Sequence, residues 1–309
     1  MVALAGGVGA ARFLSGLVEV MPPSALSVIV NTGDDRDFFG LRVCPDLDIV
    51  TYTLAGRVRR DTGWGLEGDS FRALSALRRF RSDVWFSIGD EDLATHVHRS
   101  ARLREGATLT EVTRELARGF GLEIKLLPMS DDAAPTVVVR EGGLRSDFQE
   151  YLARDGSPED VIDVDLSAAH SAAPSPAALA ALERAEIVLI CPSNPIVSIG
   201  TIRAVPGFEE RLRARRDAVA VSPIIAGRPV KGPADRLLRA IGVEVSALGV
   251  ARMYREIARA IVVDTQDRAL ASEIEALGLR APVAPTLMRE REDARALARS
   301  ALAAAGMKV

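Results

Sequence analysis

Four acidic clusters stand where the chain is expected to turn: Asp34-Asp35, then Asp46 and Asp48 in the segment CPDLD, Asp90 and Asp92 in GDED, and Asp131-Asp132 after PMS. One such pair alone is an ordinary turn or helix cap. Several of them around a phosphate loop have another use. Carboxylates with open coordination suit Mg²⁺, which usually bridges protein and substrate phosphate oxygens. They can also hold or deprotonate an attacking hydroxyl. Asp34, Asp35 and Asp46 are therefore the candidate catalytic carboxylates, with Asp34 and Asp46 as candidate magnesium ligands.

The phosphate loop is Gly6-Gly7-Val8-Gly9, directly after the apolar run Val2-Ala3-Leu4-Ala5. A strand that turns at once through glycines into a helix presents bare backbone N–H groups and a positive helix end, and both favour a phosphate. The loop is a poor dinucleotide fingerprint. Gly7 and Gly9 fit G-x-G-x-x-G, but Arg12 stands in the third glycine's place. The second strand ends in Asn31-Thr32-Gly33-Asp34-Asp35 instead of a lone ribose-binding acid further on. Phosphate binding by Gly7, Val8 and Gly9 is expected, and a nicotinamide cofactor is not.

A second group follows the late strands, where open α/β sheets place their ligands. It comprises Ser193 and Asn194 in PSNP, Ser198 in the next turn, and Lys231 beyond SPIIAGRP. Serine and asparagine supply hydrogen bonds, and Lys231 and Arg12 supply positive charge for a phosphate. There is no G-x-S-x-G elbow and no sequence-local Cys–His pair. A direct, metal-assisted displacement at phosphorus fits these residues better than covalent catalysis.

The elements that must position them alternate. Runs at 2–5, 26–31, 186–191, 218–222 and 260–264 are short, apolar and rich in Val and Ile. Such strands are typically buried on both faces of a parallel sheet. Helices are expected near 10–20, 176–185, 207–216, 233–241, 250–259 and 288–305. The alternation predicts an α/β, Rossmann-like, doubly wound and mainly parallel sheet. Between 48 and 121 helical segments near 48–60, 69–80, 91–104 and 110–120 follow one another, with Thr110 as a cap for the last and little strand signal beyond Val84-Trp85-Phe86. This stretch reads as an inserted helical subdomain covering the cleft, on a core of 1–47 and 122–309. Residues 123–127, 136–140 and 148–151 read as a smaller β excursion, and 167–176 as a surface loop.

Length and composition set the outer limits. A chain of 309 residues with 48% hydrophobic residues holds a sizeable core. A net charge of −3 without a basic stripe argues against nucleic acid. No apolar run approaches the roughly 20 residues of a membrane span, and the start lacks the basic region of a signal peptide. A cytoplasmic protein without membrane or nucleic-acid partners is the expectation. Cys44 and Cys191 have no ligand spacing. His96 and His98 are too few for a zinc site and read as positions on a surface helix.

Taken in order, GGVGAARFLSGL at 6–17, NTGDD at 31–35, CPDLD and YTLAG within 44–56, GWG at 63–65, GDEDLATH at 89–96, LPMSDD at 127–132, PSNPIVSIGTI at 192–202 and SPIIAGRPVKGPA at 222–234 resemble the 2-phospho-L-lactate transferase (CofD-type) family of coenzyme F-420 biosynthesis. The resemblance spans most of the chain. It implies a Rossmann-like core with a helical insert, Mg²⁺ as cofactor and a homodimer. The implied reaction moves an acid-bearing phosphoryl unit, phospho-lactyl or phosphoenolpyruvyl, from a guanosine diphosphate adduct to the ribityl hydroxyl of 7,8-didemethyl-8-hydroxy-5-deazariboflavin, with release of GMP. It implies that Asp48 binds the deazaflavin. Ser87 and Asp90 would lie at the same substrate, although the family commonly has a basic residue at the position of Ser87; Arg12 or another arginine is the expected substitute. Gly7, Val8, Gly9, Arg12, Ser193, Asn194, Ser198 and Lys231 would meet the nucleotide and its phosphates. A related glycine-rich family binds nucleotide sugars as a non-catalytic regulator; the PDLD and GDEDLATH segments favour the transferase.

Overall fold

In the computed structural model, which describes residues 1–307, the Val- and Ile-rich runs assemble into one sheet. Its strands are β1 (Val2–Ala5), β2 (Ser27–Val30), β3 (Lys125–Pro128), β4 (Val188–Ile190), β5 (Ala218–Val221) and β6 (Ala258–Val262). They lie in the order β6-β5-β4-β1-β2-β3, every neighbouring pair parallel. This is the strand order of a Rossmann-type doubly wound sheet. Alternation along each strand feeds two apolar layers. Val2, Leu4, Ile29 and Ile190 face one, while Ala3, Ala5, Val28, Val30 and Leu189 face the other.

The helices divide between those layers. Helices α1 (Gly7–Val20), α2 (Pro45–Leu54), α3 (Asp90–Arg104), α4 (Leu109–Gly119) and α5 (Arg291–Ala304) include four, α1, α2, α4 and α5, that pack on the Ala3 side. Helices Pro176–Arg184, Ile199–Ala204, Phe208–Arg215, Ala234–Ala240 and Ala247–Tyr254 pack on the Leu4 side. The chain leaving β1 thus turns to one face and the chain leaving β4 to the other. A crevice opens between their carboxyl ends.

Several elements depart from the sequence reading. The segment near 123–127 is an edge strand of the main sheet, paired with β2, because Leu126 fits the same apolar layer as α4. The β excursion is a separate antiparallel sheet of Val137–Arg140, Arg145–Asp147 and Val161–Asp165. Residues 148–151 do not extend it: the chain coils into a π-helical turn, Glu150–Arg154, that buries Tyr151 and directs its hydroxyl to the Pro158 carbonyl at 2.8 Å. The surface loop at 167–176 contains a short helix, Ser167–Ser171. The helix expected at 250–259 is Ala247–Tyr254, set early because the Ser246 hydroxyl accepts the Gly249 N–H, and β6 therefore begins at Ala258.

In the 48–121 stretch, α2 starts at Pro45, so position 48 lies inside a helix whose Leu47 and Val50 belong to the sheet-covering layer. The second helix is only Arg72–Leu77, and 84–86 form no strand. Thr108, not Thr110, caps α4: its hydroxyl accepts the Glu111 N–H and Glu111 reaches back to the Thr108 N–H. The Thr110 N–H is taken by Asp131 at 2.6 Å.

Where α1 crosses α5, a Cβ on Gly16 would fall 2.3 Å from the Ala294 carbonyl oxygen and 2.5 Å from the Arg295 nitrogen. Gly16→Ala must push two helix backbones apart and is expected to cost about 1–3 kcal/mol. Gly119→Ala, in open space at the end of α4, is expected to change stability by less than about 1 kcal/mol. Urea-unfolding midpoints of the two variants check the contrast.

Candidate functional site

The crevice at the β1–β4 junction is a cleft of about 660 Å³. Gly6 lets the phosphate loop pass close to two neighbours: a Cβ there would sit 2.6 Å from Asp46 Oδ2 and 2.7 Å from Ser198 Cβ. The Gly6 N–H donates to Ser193 Oγ at 3.0 Å, tying the loop after β1 to the loop after β4. Gly7, Val8, Gly9, Ser193, Asn194 and Ser198 all line the cleft. Asn194 uses its side-chain oxygen locally, accepting the Ile196 and Val197 N–H groups at 2.9 and 3.3 Å. Arg12 and Lys231 complete this wall, on the Met288 and Thr62 carbonyls respectively.

Facing the loop is a carboxylate pair. Asn31 donates one amide to Asp46 Oδ2 at 2.9 Å and to Asp34 Oδ1 at 3.4 Å, so it holds both side by side. Gln149 donates to the second Asp34 oxygen at 3.3 Å. Both aspartates are buried and both line the cleft. Burial pushes the Asp46 carboxyl up to about 6, against hydrogen bonds from Asn31 and the Gly7 N–H. Burial, and then the charges of Asp46, Asp147 and Asp35, hold the Asp34 carboxyl well above the usual range. Two buried carboxylates that resist being charged together are a ready seat for a cation. Among the described residues no group of three or more His, Cys, Asp or Glu side chains converges in metal-binding fashion. A magnesium ion that takes one or two carboxylates and completes its shell with water and substrate phosphate fits two.

Asp48, in the first turn of α2, is held from α3. Arg99 grips both its oxygens, Nη1 at 3.2 Å and Nη2 at the other, and the Cys44 N–H adds a bond at 3.4 Å. His96 Nδ1 lies 3.2 Å from Arg99 Nη1, and His96 Nε2 lies 3.3 Å from Asp92 Oδ1. Tyr52 donates to that same Asp92 oxygen at 2.6 Å. Burial opposes the Asp92 charge, but the His96 and Tyr52 hydrogen bonds hold its carboxyl below the usual range. Beyond this network the cleft wall is apolar, with Trp85, Phe86 and Phe148 lining it beside Ser87.

The description 2-phospho-L-lactate transferase CofD matches residues 1–300. The chain belongs to the CofD family. It is 42% identical over 312 residues to a phosphoenolpyruvate transferase of Kitasatospora aureofaciens, covering 99% of this chain and 97% of that one. It is 42% identical over 299 residues to a 2-phospho-L-lactate transferase of Methanosarcina acetivorans, covering 96% of each. Transferase activity is therefore the family's activity, and the regulator reading is not favoured. In fold the chain is similar to a Bacillus halodurans protein of the upf0052 family, with a TM-score of 0.64 over 97% of each chain at 16% identity; that likeness shows the architecture alone.

Three sequence readings are corrected in this CofD-family cleft. Asp35 does not line it: its side chain turns inward to Cys44, Arg99 and Arg42, and burial pushes its carboxyl up to about 8. Asp90 does not line it either. It accepts the Arg72 and Ala73 N–H groups at 3.1 and 2.9 Å and the Ser70 hydroxyl, anchoring the start of helix Arg72–Leu77. His96 is buried, and only His98 is on the surface, with Glu115 at 3.0 Å. The arginine beside Asp48 is Arg99. Sequence reasoning passed over Arg99 and Tyr52, and named Asp92 only as a member of the GDED cluster. Their signal was present as Asp92, His96 and Arg99 at helical spacing on one face of α3.

Arg99→Met leaves the Asp48 charge buried without a partner and is expected to cost about 3–5 kcal/mol. Arg99→Lys should recover only part, because an ammonium cannot replace the two-pronged grip. Thermal and denaturant unfolding of both variants check this.

Proposed function

We propose that this chain joins the acid-bearing phosphoryl group of a guanosine diphosphate adduct to the ribityl hydroxyl of the deazaflavin, with Mg²⁺, in the cytoplasm and as a homodimer. The hydroxyl oxygen forms a bond to the phosphorus that carries the acid and its proton passes to solvent, while the bond from that phosphorus to the bridging oxygen breaks and GMP leaves with that bond's electron pair. The observation that carries the reading is the abutment of the buried Asp34–Asp46 pair against the phosphate loop, at the one place where the sheet opens.

The N–H groups of the loop and the positive end of α1 favour the diphosphate. Arg12 and Lys231 add charge on the same wall. Asp34 and Asp46 would hold the magnesium, which when bound neutralises phosphate charge as it shifts to the leaving group. With their carboxylates so engaged, the pair also bounds the space in which the ribityl hydroxyl is oriented. Asp48, made rigid by Arg99, offers an acceptor to the polar edge of the deazaflavin, and Trp85, Phe86 and Phe148 offer a flat apolar surface to its rings. Preorganised charge around phosphorus is the main catalytic contribution.

Turnover is tested with the deazaflavin, Mg²⁺ and adducts carrying lactate, enolpyruvate or glycerate, following GMP and the deazaflavin phosphodiester by mass spectrometry. One adduct should react, and the preferred one names the acid; no product with any of them overturns the reading. Chelation with EDTA should abolish turnover and added Mg²⁺ restore it. Asp46→Asn should lower kcat by about 100-fold. Asp48→Asn should raise the acceptor KM by about 10- to 100-fold with a smaller change in kcat; an unchanged KM removes Asp48 from the deazaflavin site. Light scattering on the purified protein checks the dimer.

A further inference from the structure

Residues 57–66 form a hairpin over the phosphate-loop end of the cleft. Val58 bridges Leu66, the Arg59 N–H donates to the Gly65 carbonyl at 3.1 Å, and the Gly63 N–H donates to the Arg59 carbonyl at 2.8 Å. Its tip is Thr62, Gly63, Trp64 and Gly65, of which Trp64 and Gly65 line the cleft. The base is tied to α3 by an Arg57–Glu91 ion pair at 3.1 Å. The tip is tied to the far wall by the Lys231 ammonium, which donates to the Thr62 carbonyl at 2.7 Å.

Beneath the tip two cations converge. A Cβ built on Gly63, whose φ is +74°, would lie 3.5 Å from Lys231 Nζ, 3.9 Å from Arg12 Nη2 and 3.2 Å from Val8 of the phosphate loop. Among the described residues neither cation has a carboxylate partner; each donates to a backbone carbonyl. Arg99 shows the opposite arrangement, with its charge paired to Asp48. Two cations without carboxylate partners, beside Val8 at the start of α1, form a site for an oxyanion. Glycine at 63 leaves that space open.

We propose that residues 62–65 are a lid on this oxyanion site, and that a phosphate or carboxylate group held by Arg12 and Lys231 locks the lid through the Lys231 ammonium. An ammonium has three donors. One holds Thr62, and the others are free for the anion. An anion also relieves the repulsion between Lys231 and Arg12, which together with partial burial pushes the Lys231 pKa down. A ligand that binds the closed tip better than the open one shifts the tip toward closure. Closure keeps water from a reactive diphosphate. The inference rests on the reading of the cleft as a phosphorylated-donor site.

The hairpin that carries the lid has its own reporter, because Arg59 and Arg60 are trypsin sites just before the tip. The full chain with Mg²⁺ is digested briefly with trypsin, alone, with inorganic pyrophosphate and with L-lactate, and fragments are quantified by mass spectrometry. Pyrophosphate is expected to slow cleavage after Arg59 and Arg60 by about fivefold or more, with cleavage elsewhere unchanged. Protection by pyrophosphate alone makes a phosphate the locking group, and protection by lactate alone makes it the acid's carboxylate. In Lys231→Met, a change at an exposed rim position, the lid should be cut equally fast with and without the anion. Protection that persists in that variant, or no protection of the wild type by either anion, overturns the lid. Calorimetric titration with GDP reads the donor site separately. Binding of GDP without protection by either anion sinks the lid and leaves the donor reading; protection by pyrophosphate without GDP binding does the reverse.

Discussion

The divergence of the chain at the β1–β4 junction is the constraint on which the rest depends. Parallel strands need crossovers, and here the crossover from β1 runs to one face of the sheet while that from β4 runs to the other. No helix can fill the gap between their carboxyl ends. The loops that border it are short and come from four strands, so residues more than 200 positions apart meet there. The Gly6–Ser193 hydrogen bond closes the floor of that gap and fixes the phosphate loop relative to the loop after β4.

Charge is sorted around this opening. One wall carries Asp34 and Asp46, the other the loop N–H groups with Arg12 and Lys231. Each wall is poorly satisfied within the protein: the aspartates are buried against their own repulsion, and among the described residues the two cations have only carbonyl partners. Under the proposed function, a ligand carrying phosphates, with a divalent cation on its acidic side, would satisfy both walls together. The meeting of an acidic wall with a basic one is the physical form that specificity takes here.

The third part of the site obeys a different rule. Asp48 is buried with Arg99 gripping both its oxygens, and Arg99 is in turn surrounded by His96, the Arg42 carbonyl and α2. Such a pair contributes little net stability, since desolvation offsets the attraction, but it pins α3 to α2 in one register. That register sets where the aromatic residues after the Arg72–Leu77 helix meet the cleft.

The sequence by itself determined the sheet, the glycine loop and the family. Short Val- and Ile-rich runs between amphipathic stretches have few ways to bury both faces, and the glycines at 6, 7 and 9 leave one kind of turn. It also brought the right loops to the cleft, with Ser193, Asn194, Ser198 and Lys231 placed where strand ends predict. Only the tertiary structure decided which acids face the cleft. Asp34 and Asp35 are neighbours in sequence with identical side chains, and the turn after β2 sends one to the cleft and the other to Cys44 and Arg42. Asp90 and Asp92 part in the same way, one to a helix end and one to Tyr52 and His96. Composition and spacing cannot separate such pairs, because the choice is made by backbone direction at a turn and by partners that arrive from other elements.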